Sequence, residues 1–224
     1  MKAMILAAGR GERLRPLTDR MPKALVDAGG KPLLAWHLER LRRAGFREVV
    51  INVSHLASQI TERFANGAEY GLLIHWSHEP QALETAGGIV QALALLGAAP
   101  FLLVNADIWC DYEFSGLRKH ELDSHLAHLV LVPNPTHHRE GDFSLDGATV
   151  GSGPAPRYTY TGIAVLSPEI VTGIRPGDKA PLGPVLKAAA ARGAVTGELH
   201  QGMWRDIGTA ERLAALQAML GSTQ

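Results

Sequence analysis

Apolar residues in the first half of the chain fall into two alternating kinds of run. Blocks at residues 3–8 (AMILAA), 48–54 (EVVINVS) and 101–105 (FLLVN) have the length and aliphatic content of strands buried on both faces. Residues 72–76 alternate apolar and polar and read as a further strand. Helical spacings separate them. Leu34, Leu38 and Leu41 share one face of a helix over 32–44, with Gly45 in the C-cap position. Leu56, Ile60 and Phe64 define a helix over 55–65, ended by Asn66-Gly67, and 85–96 reads as a third helix. This order predicts an α/β fold: a Rossmann-like, mostly parallel sheet flanked by helices.

The second half is less regular. A helix is expected over 113–125, strands over 128–132 and 158–166, a short helix over 184–191, and an amphipathic helix over 209–220 with Thr209 as N-cap. Residues 133–156, rich in Pro, Gly, His and Asp, read as loop with one short strand pair near 143–150. No internal repeat appears, and no hexapeptide series of the kind that builds a β-helix. The reading is one domain over 1–224, a regular part over 1–112 followed by a less regular lobe over 113–224.

Composition narrows the function. Twenty-two Lys and Arg balance 22 Asp and Glu, so the chain lacks the basic surplus of a nucleic-acid binder. At 46% hydrophobic residues it can bury a full core. The single cysteine, Cys110, excludes an intramolecular disulfide and suits a reducing, cytoplasmic setting. The apolar start is too short for a secretory signal. The uncharged stretch 85–106 is interrupted by Gly87, Gly88, Gln91, Gly97, Pro100 and Asn105, so no membrane span is expected.

The sharpest chemical signal follows the first strand: Leu6-Ala7-Ala8-Gly9-Arg10-Gly11-Glu12-Arg13-Leu14-Arg15-Pro16, then Pro22-Lys23. Glycines let the backbone turn so that N–H groups meet phosphate oxygens, and arginines add planar cationic clamps. Two familiar phosphate motifs fail. The dinucleotide fingerprint needs a third glycine where Leu14 stands, and no Gly-Lys-Ser/Thr follows Gly9. Asp107 closes the fourth strand, where a carboxylate points into the ligand crevice of an open α/β sheet. Asp206 lies in Trp204-Arg205-Asp206-Ile207-Gly208-Thr209, either capping the last helix or binding a ligand.

These residues resemble the sugar-1-phosphate nucleotidyltransferases, whose signature reads L-A-A-G-x-G-x-R-L-x-P-L-T, then P-K. The likeness extends to (N)-G-D at Asp107, to L-x-T-A-G at Leu83–Gly87, and to W-x-D-x-G-T at Asp206. Departures are Glu12 for the usual Thr or Ser, Ala24 for the proline after the lysine, and Ala106 for the glycine before Asp107. The resemblance implies uridylyl transfer from UTP to a sugar 1-phosphate, with pyrophosphate leaving. It implies that Asp107 and Asp206 hold Mg²⁺, that Arg13 stabilises the leaving pyrophosphate, and that Lys23 bridges the α-phosphate and the sugar phosphate. The nucleotide contacts it implies are Ala7, Ala8, Gly9, Gly11, Glu12, Arg13, Lys23, Gln81 and Gly87, with the Gln81 amide able to read a base edge. Sugar contacts are expected from Asn105, Gly141, Asp142, Thr161 and Gly162, and the resemblance makes 1–112 the nucleotide-binding part and 113–224 mainly the sugar-binding part. The expected state is a monomer or weak homo-oligomer. Guanylyl transfer to mannose 1-phosphate or another sugar-1-phosphate nucleotidyl transfer, and a catalytically silent nucleotide-sugar sensor, stay open as alternatives.

Overall fold

A computed structural model describes residues 1–153 and 156–221. Residues 154 and 155, part of the segment read as loop, and 222–224 lie outside the described residues. In chain order the strands and helices are β1 (Ala3–Leu6), α1 (Leu33–Arg43), β2 (Glu48–Val53), α2 (Ala57–Phe64), β3 (Leu73–His78), α3 (Glu84–Leu96), β4 (Phe101–Asn105), β5 (Ile108–Cys110) and β6 (Ala127–Val132). There follow β7 (Phe143–Asp146), β8 (Thr149–Gly151), β9 (Arg157–Leu166), α4 (Leu182–Ala191), β10 (Val195–Leu199), β11 (Trp204–Asp206) and α5 (Ala210–Gly221).

Nine strands form one sheet in the order β3-β2-β1-β4-β9-β6-β10-β8-β7, with β7 also paired to β9. The first four are parallel, as the alternating strand–helix pattern requires. Beyond β4 the sheet is mixed: β9 runs antiparallel to both β4 and β6, while β10 is parallel to β6. Alternation along the strands sorts the core into two layers. Ala3, Ile5, Val49 and Ile51 face α1 and α2 (Leu34, Leu38, Leu41, Ile60, Phe64). Met4 and Val50 face α3 and α4 (Ile89, Val90, Leu182, Leu186). Each fully buried Leu or Ile here is worth about 1.5–3 kcal/mol over an exposed one. A third cluster folds α5 back onto the N-terminal region, packing Leu213 and Leu216 on Val26, Leu33 and Trp109. Among the described residues no helix is long and apolar enough to cross a membrane.

The helix expected over 113–125 does not form. The segment holds only a 3-10 turn, Leu117–Lys119. Its buried residues Phe114, Leu117 and Leu122 fall at i, i+3 and i+8, a spacing a helix would share, but Asp123 has φ 48, which breaks a right-handed helix. The two-stranded ribbon β5–β11 and strand β10 had no counterpart in the periodicity. The ribbon strands are only three residues long, and Gly197 sits in the middle of β10, where a Cβ would meet the Leu129 carbonyl at 2.8 Å.

Candidate active site

Strand order makes the site. The connections from β1 to β2 and from β3 to β4 leave in opposite directions, so β1 and β4 flank a switch point with a crevice at their C-terminal ends. A cavity of about 280 Å³ opens there. Its lining includes Ala7, Ala8 and Gly9 after β1, Lys23, and Asn105 and Asp107 at the end of β4. A Cβ on Gly9 would meet nothing within 4 Å, so that backbone faces open space. Gly11, at φ 65, turns the chain so that Thr18 Oγ1 can donate to its carbonyl at 2.8 Å and Lys23 packs beneath it. Ala7 lines the cavity, but its amide is committed: it donates to Asn52 Oδ1 at 2.8 Å. Glu12 and Arg13 in this turn are exposed.

Lys23 and Asp107 meet across the crevice, Nζ to Oδ2, at 2.5 Å. The lysine side chain is only 12% exposed, so this ion pair is far less screened than a surface one. Asp206 lies on the adjacent strand. β11 pairs with β5 so that Asp206 faces Ile108, and the Ile207 amide donates to the Asp107 carbonyl at 2.8 Å. The two aspartates therefore leave neighbouring backbones. They offer only hard oxygen donors, the set that Mg²⁺ favours when phosphates and water complete its shell. Among the described residues no group of three or more His, Cys, Asp or Glu forms a self-sufficient metal site.

Two side chains that the sequence reading left without a role join this cluster. Arg212, in the first turn of α5, donates from Nη1 to both Asp206 oxygens at 2.8 and 2.6 Å. His137 Nε2 lies 3.1 Å from Asp206 Oδ1. Gly208 makes room: a Cβ there would lie 2.2 Å from Arg212 Nη2 and 3.1 Å from Arg13 Cζ. Arg13 and Arg212 thus bring two guanidinium groups to one turn beside Asp206, a concentration of positive charge suited to a polyanion. Arg212 carried a signal in the sequence, because a cation in the first turn of a helix opposes the helix dipole. His137 in its polar loop carried none.

Several expected contacts fall elsewhere. The space that Gly87 leaves is taken by protein: a Cβ there would lie 2.3 Å from the Asp178 carbonyl. Its amide donates to the Ala180 carbonyl. Gly87 therefore packs closely against residues 178–180. Gln81 lines a neighbouring cleft with Arg10, His55 and Lys179, which touches the main cavity through Ala82. On the sugar side, Asn105 lines the cavity. Gly162, at φ 82, makes way for it, since a Cβ there would lie 2.5 Å from Asn105 Nδ2. The other three expected sugar residues are occupied internally. Thr161 is buried, its hydroxyl donating to the Val130 carbonyl at 2.7 Å. Asp142 accepts from the Tyr160 amide at 2.8 Å and pairs with His138. A Cβ on Gly141 would lie 2.9 Å from the Tyr158 amide nitrogen.

Glu79, 4% exposed, was also missed. Its Oε1 accepts from Asn52 Nδ2 at 2.7 Å and its Oε2 from the Leu83 amide at 2.9 Å. With the bond from Ala7 to Asn52, this ties the glycine-rich turn to the start of α3.

A switch-point crevice walled by a glycine-rich turn, a lysine and Asp107, with Asp206 on the neighbouring backbone, has the make-up of a nucleotide-binding α/β protein. The chain matches the nucleotidyl transferase family over residues 2–144, and it belongs to that family of enzymes. It is 48% identical to the N-acetylmuramate alpha-1-phosphate uridylyltransferase of Neisseria meningitidis serogroup B, covering 99% of each chain. It is 35% identical to the enzyme of the same name from Caulobacter vibrioides, over 97% of this chain and 96% of that one. Among solved structures, HddC of Yersinia pseudotuberculosis in complex with GMP-PN superposes with a TM-score of 0.80 at 23% identity, over 97% of this chain and 98% of that one. That likeness shows the fold.

Proposed function

We propose that this chain transfers a uridylyl group from UTP to N-acetylmuramate 1-phosphate, giving the UDP-sugar and pyrophosphate. The observation that carries this reading is the 48% identity, over 99% of each chain, to an N-acetylmuramate alpha-1-phosphate uridylyltransferase. A guanylyl alternative has less support. The mannose-1-phosphate guanylyltransferase catalytic subunit beta of Danio rerio is 32% identical, and the chain spans 61% of its length.

The reaction needs little covalent help from the protein. An oxygen of the sugar phosphate attacks the α-phosphorus of UTP, the bond to the β-phosphate oxygen breaks, and pyrophosphate leaves with that electron pair. A phosphate dianion is already a competent nucleophile, so catalysis reduces to positioning and charge neutralisation. In this reading the 8–11 backbone cradles the phosphates, Lys23 sits between α-phosphate and sugar phosphate, and Arg13 meets charge growing on pyrophosphate. Asp107 and Asp206 would hold Mg²⁺, which when bound neutralises phosphate charge. To do so each carboxylate must loosen its present partner, Lys23 or Arg212. The two freed cations are then available to the phosphates of the substrates.

The biological setting that goes with this substrate is peptidoglycan recycling in the cytoplasm, by a monomer or weak homo-oligomer. Pyrophosphate release from four NTPs against a panel of sugar 1-phosphates tests the reading. The expected result is highest kcat/KM for UTP with N-acetylmuramate 1-phosphate. A preference for GTP with mannose 1-phosphate would replace it.

A further inference from the structure

Glu84 opens α3 with φ 60, in the left-handed region that side chains other than glycine seldom occupy. Its neighbours hold it there. The Leu83 amide donates to Glu79 Oε2 at 2.9 Å, the Ala180 amide donates to the Leu83 carbonyl at 3.1 Å, and the Ala86 amide donates to the Ala180 carbonyl at 2.8 Å. A strained backbone fixed from both sides is a pattern that marks functional positions. Glycine would adopt the same conformation freely, so the fold does not need a side chain at this point.

The side chain has no structural employment. Glu84 is exposed, lines the main cavity, and among the described residues makes no hydrogen bond or ion pair. The cavity is meant for a polyanion, and a free carboxylate there repels phosphate. A carboxylate can only accept hydrogen bonds. A nucleotide carries no cationic group, so what the carboxylate can favour on it is a neutral donor. A uridine nucleotide has two kinds: the ribose hydroxyls and the N–H of the uracil ring. Lys23 lines the cavity from the 3-10 turn Lys23–Leu25 and Asp107 from just after β4, whereas Glu84 lines it from the start of α3, so the carboxylate of Glu84 has a footing on the wall apart from theirs.

We infer that Glu84 is a specificity-determining residue that accepts a hydrogen bond from a neutral donor on the nucleoside of the bound nucleotide. The inference rests on the uridylyl reading in taking UTP as that nucleotide. It accounts for a strained glutamate at a place where glycine would fold at least as well.

Calorimetric binding to the full chain in Mg²⁺ tests it, with UTP, 2′-deoxy-UTP, 3′-deoxy-UTP and N3-methyl-UTP as probes. The wild type should lose about 10- to 100-fold in affinity for the analogue that lacks the donor, the size of one hydrogen bond to a charged group. Glu84→Gly should lose the same factor for UTP itself and show no further loss on that analogue. Glu84→Gln, which keeps an uncharged acceptor, should fall between. The analogue that is penalised identifies ribose or base. Glu84→Gly should melt no lower than wild type, and up to about 2–4 °C higher as strain is released. Equal UTP affinity in all three proteins, or an analogue penalty that persists in Glu84→Gly, overturns the inference. Wild-type protein that binds UTP but transfers nothing to a sugar 1-phosphate would overturn the proposed reaction and leave the Glu84 comparison standing. Wild-type protein that does not bind UTP overturns both.

Discussion

Arg13 and Lys23 carry the same charge in different surroundings. Arg13 is exposed beside Gly208, while Lys23 is nearly enclosed and already paired with Asp107. If Arg13 meets charge that accumulates only on the leaving pyrophosphate, Arg13→Ala lowers kcat by about 10²–10³ with little change in KM. If Lys23 lies between two phosphates present before reaction, Lys23→Ala raises KM for the sugar phosphate and lowers kcat together. Steady-state kinetics separate the two, and wild-type constants for both variants would remove both residues from the reaction. A third residue tests the ground beneath the site. His37 on α1 is buried, and neither ring nitrogen reaches a hydrogen-bond partner of normal geometry. Burial, reinforced by the Arg40 guanidinium, lowers its pKa from 6.5 to about 4. The folded protein thus keeps His37 neutral while the unfolded chain takes up a proton below pH 6.5. Stability is therefore lost as pH falls from about 6.5 toward 4, by a few kcal/mol in all, on the order of 3. Thermal melts from pH 7.5 to 4.5 should show a shallower fall for His37→Leu than for wild type; parallel curves would refute it.

Among the elements, α3 shows what a pattern can and cannot disclose. Its helical spacing was legible, but not the reason for its glycines. Gly87 and Gly88 face protein: the Asp178 carbonyl in one case, Glu79 and Asn52 in the other. A Cβ on Gly87 would strike backbone, which cannot swing aside, so Gly87→Ala should cost about 1–3 kcal/mol in urea unfolding. Gly116 has nothing within 4 Å of its Cβ position, and Gly116→Ala should change stability by no more than about 0.5 kcal/mol. Equal midpoints for the two variants would show that the 178–180 segment yields. The same contrast explains the elements the sequence reading missed. β1, β2 and β4 are apolar runs buried on both faces, and such runs declare themselves. β10 is interrupted by Gly197, and β5 and β11 are three residues long, so their pairing is decided by partners distant in the chain. The segment 113–125 is polar enough to suggest an amphipathic helix, yet its buried residues anchor an irregular turn.

At the scale of the whole molecule, the site is where the two ends of the chain meet. Asp107 follows β4, whereas Asp206 arrives after the sheet has been crossed to its far edge and back. The β5–β11 ribbon brings them together, and α5 clamps that return by packing on Val26 and Leu33. Motifs disclosed both aspartates, because each stands in a run of residues with its own signature. They disclosed neither Arg212, which turns back onto Asp206 from the start of α5, nor His137, which reaches Asp206 only through the fold. If the two carboxylates act as one metal-holding unit, removing either should have the same consequence, although they lie a hundred residues apart. Asp107→Asn and Asp206→Ala should each nearly abolish turnover while the protein remains folded, and excess EDTA should do the same to wild type until Mg²⁺ or Mn²⁺ is added back. Ligand-linked stability gives a readout that needs no chemistry. At about 100 times its Kd, a ligand bound only by the folded state adds about 2.7 kcal/mol, roughly 5–10 °C in Tm for a chain of this size. UTP with Mg²⁺ should raise the wild-type Tm by that order. UTP with EDTA should raise it less, and the metal-dependent part of the gain should vanish in both variants. A gain that survives in one of them would remove that aspartate from the metal site. A gain that survives EDTA undiminished in wild type would remove the metal from nucleotide binding altogether.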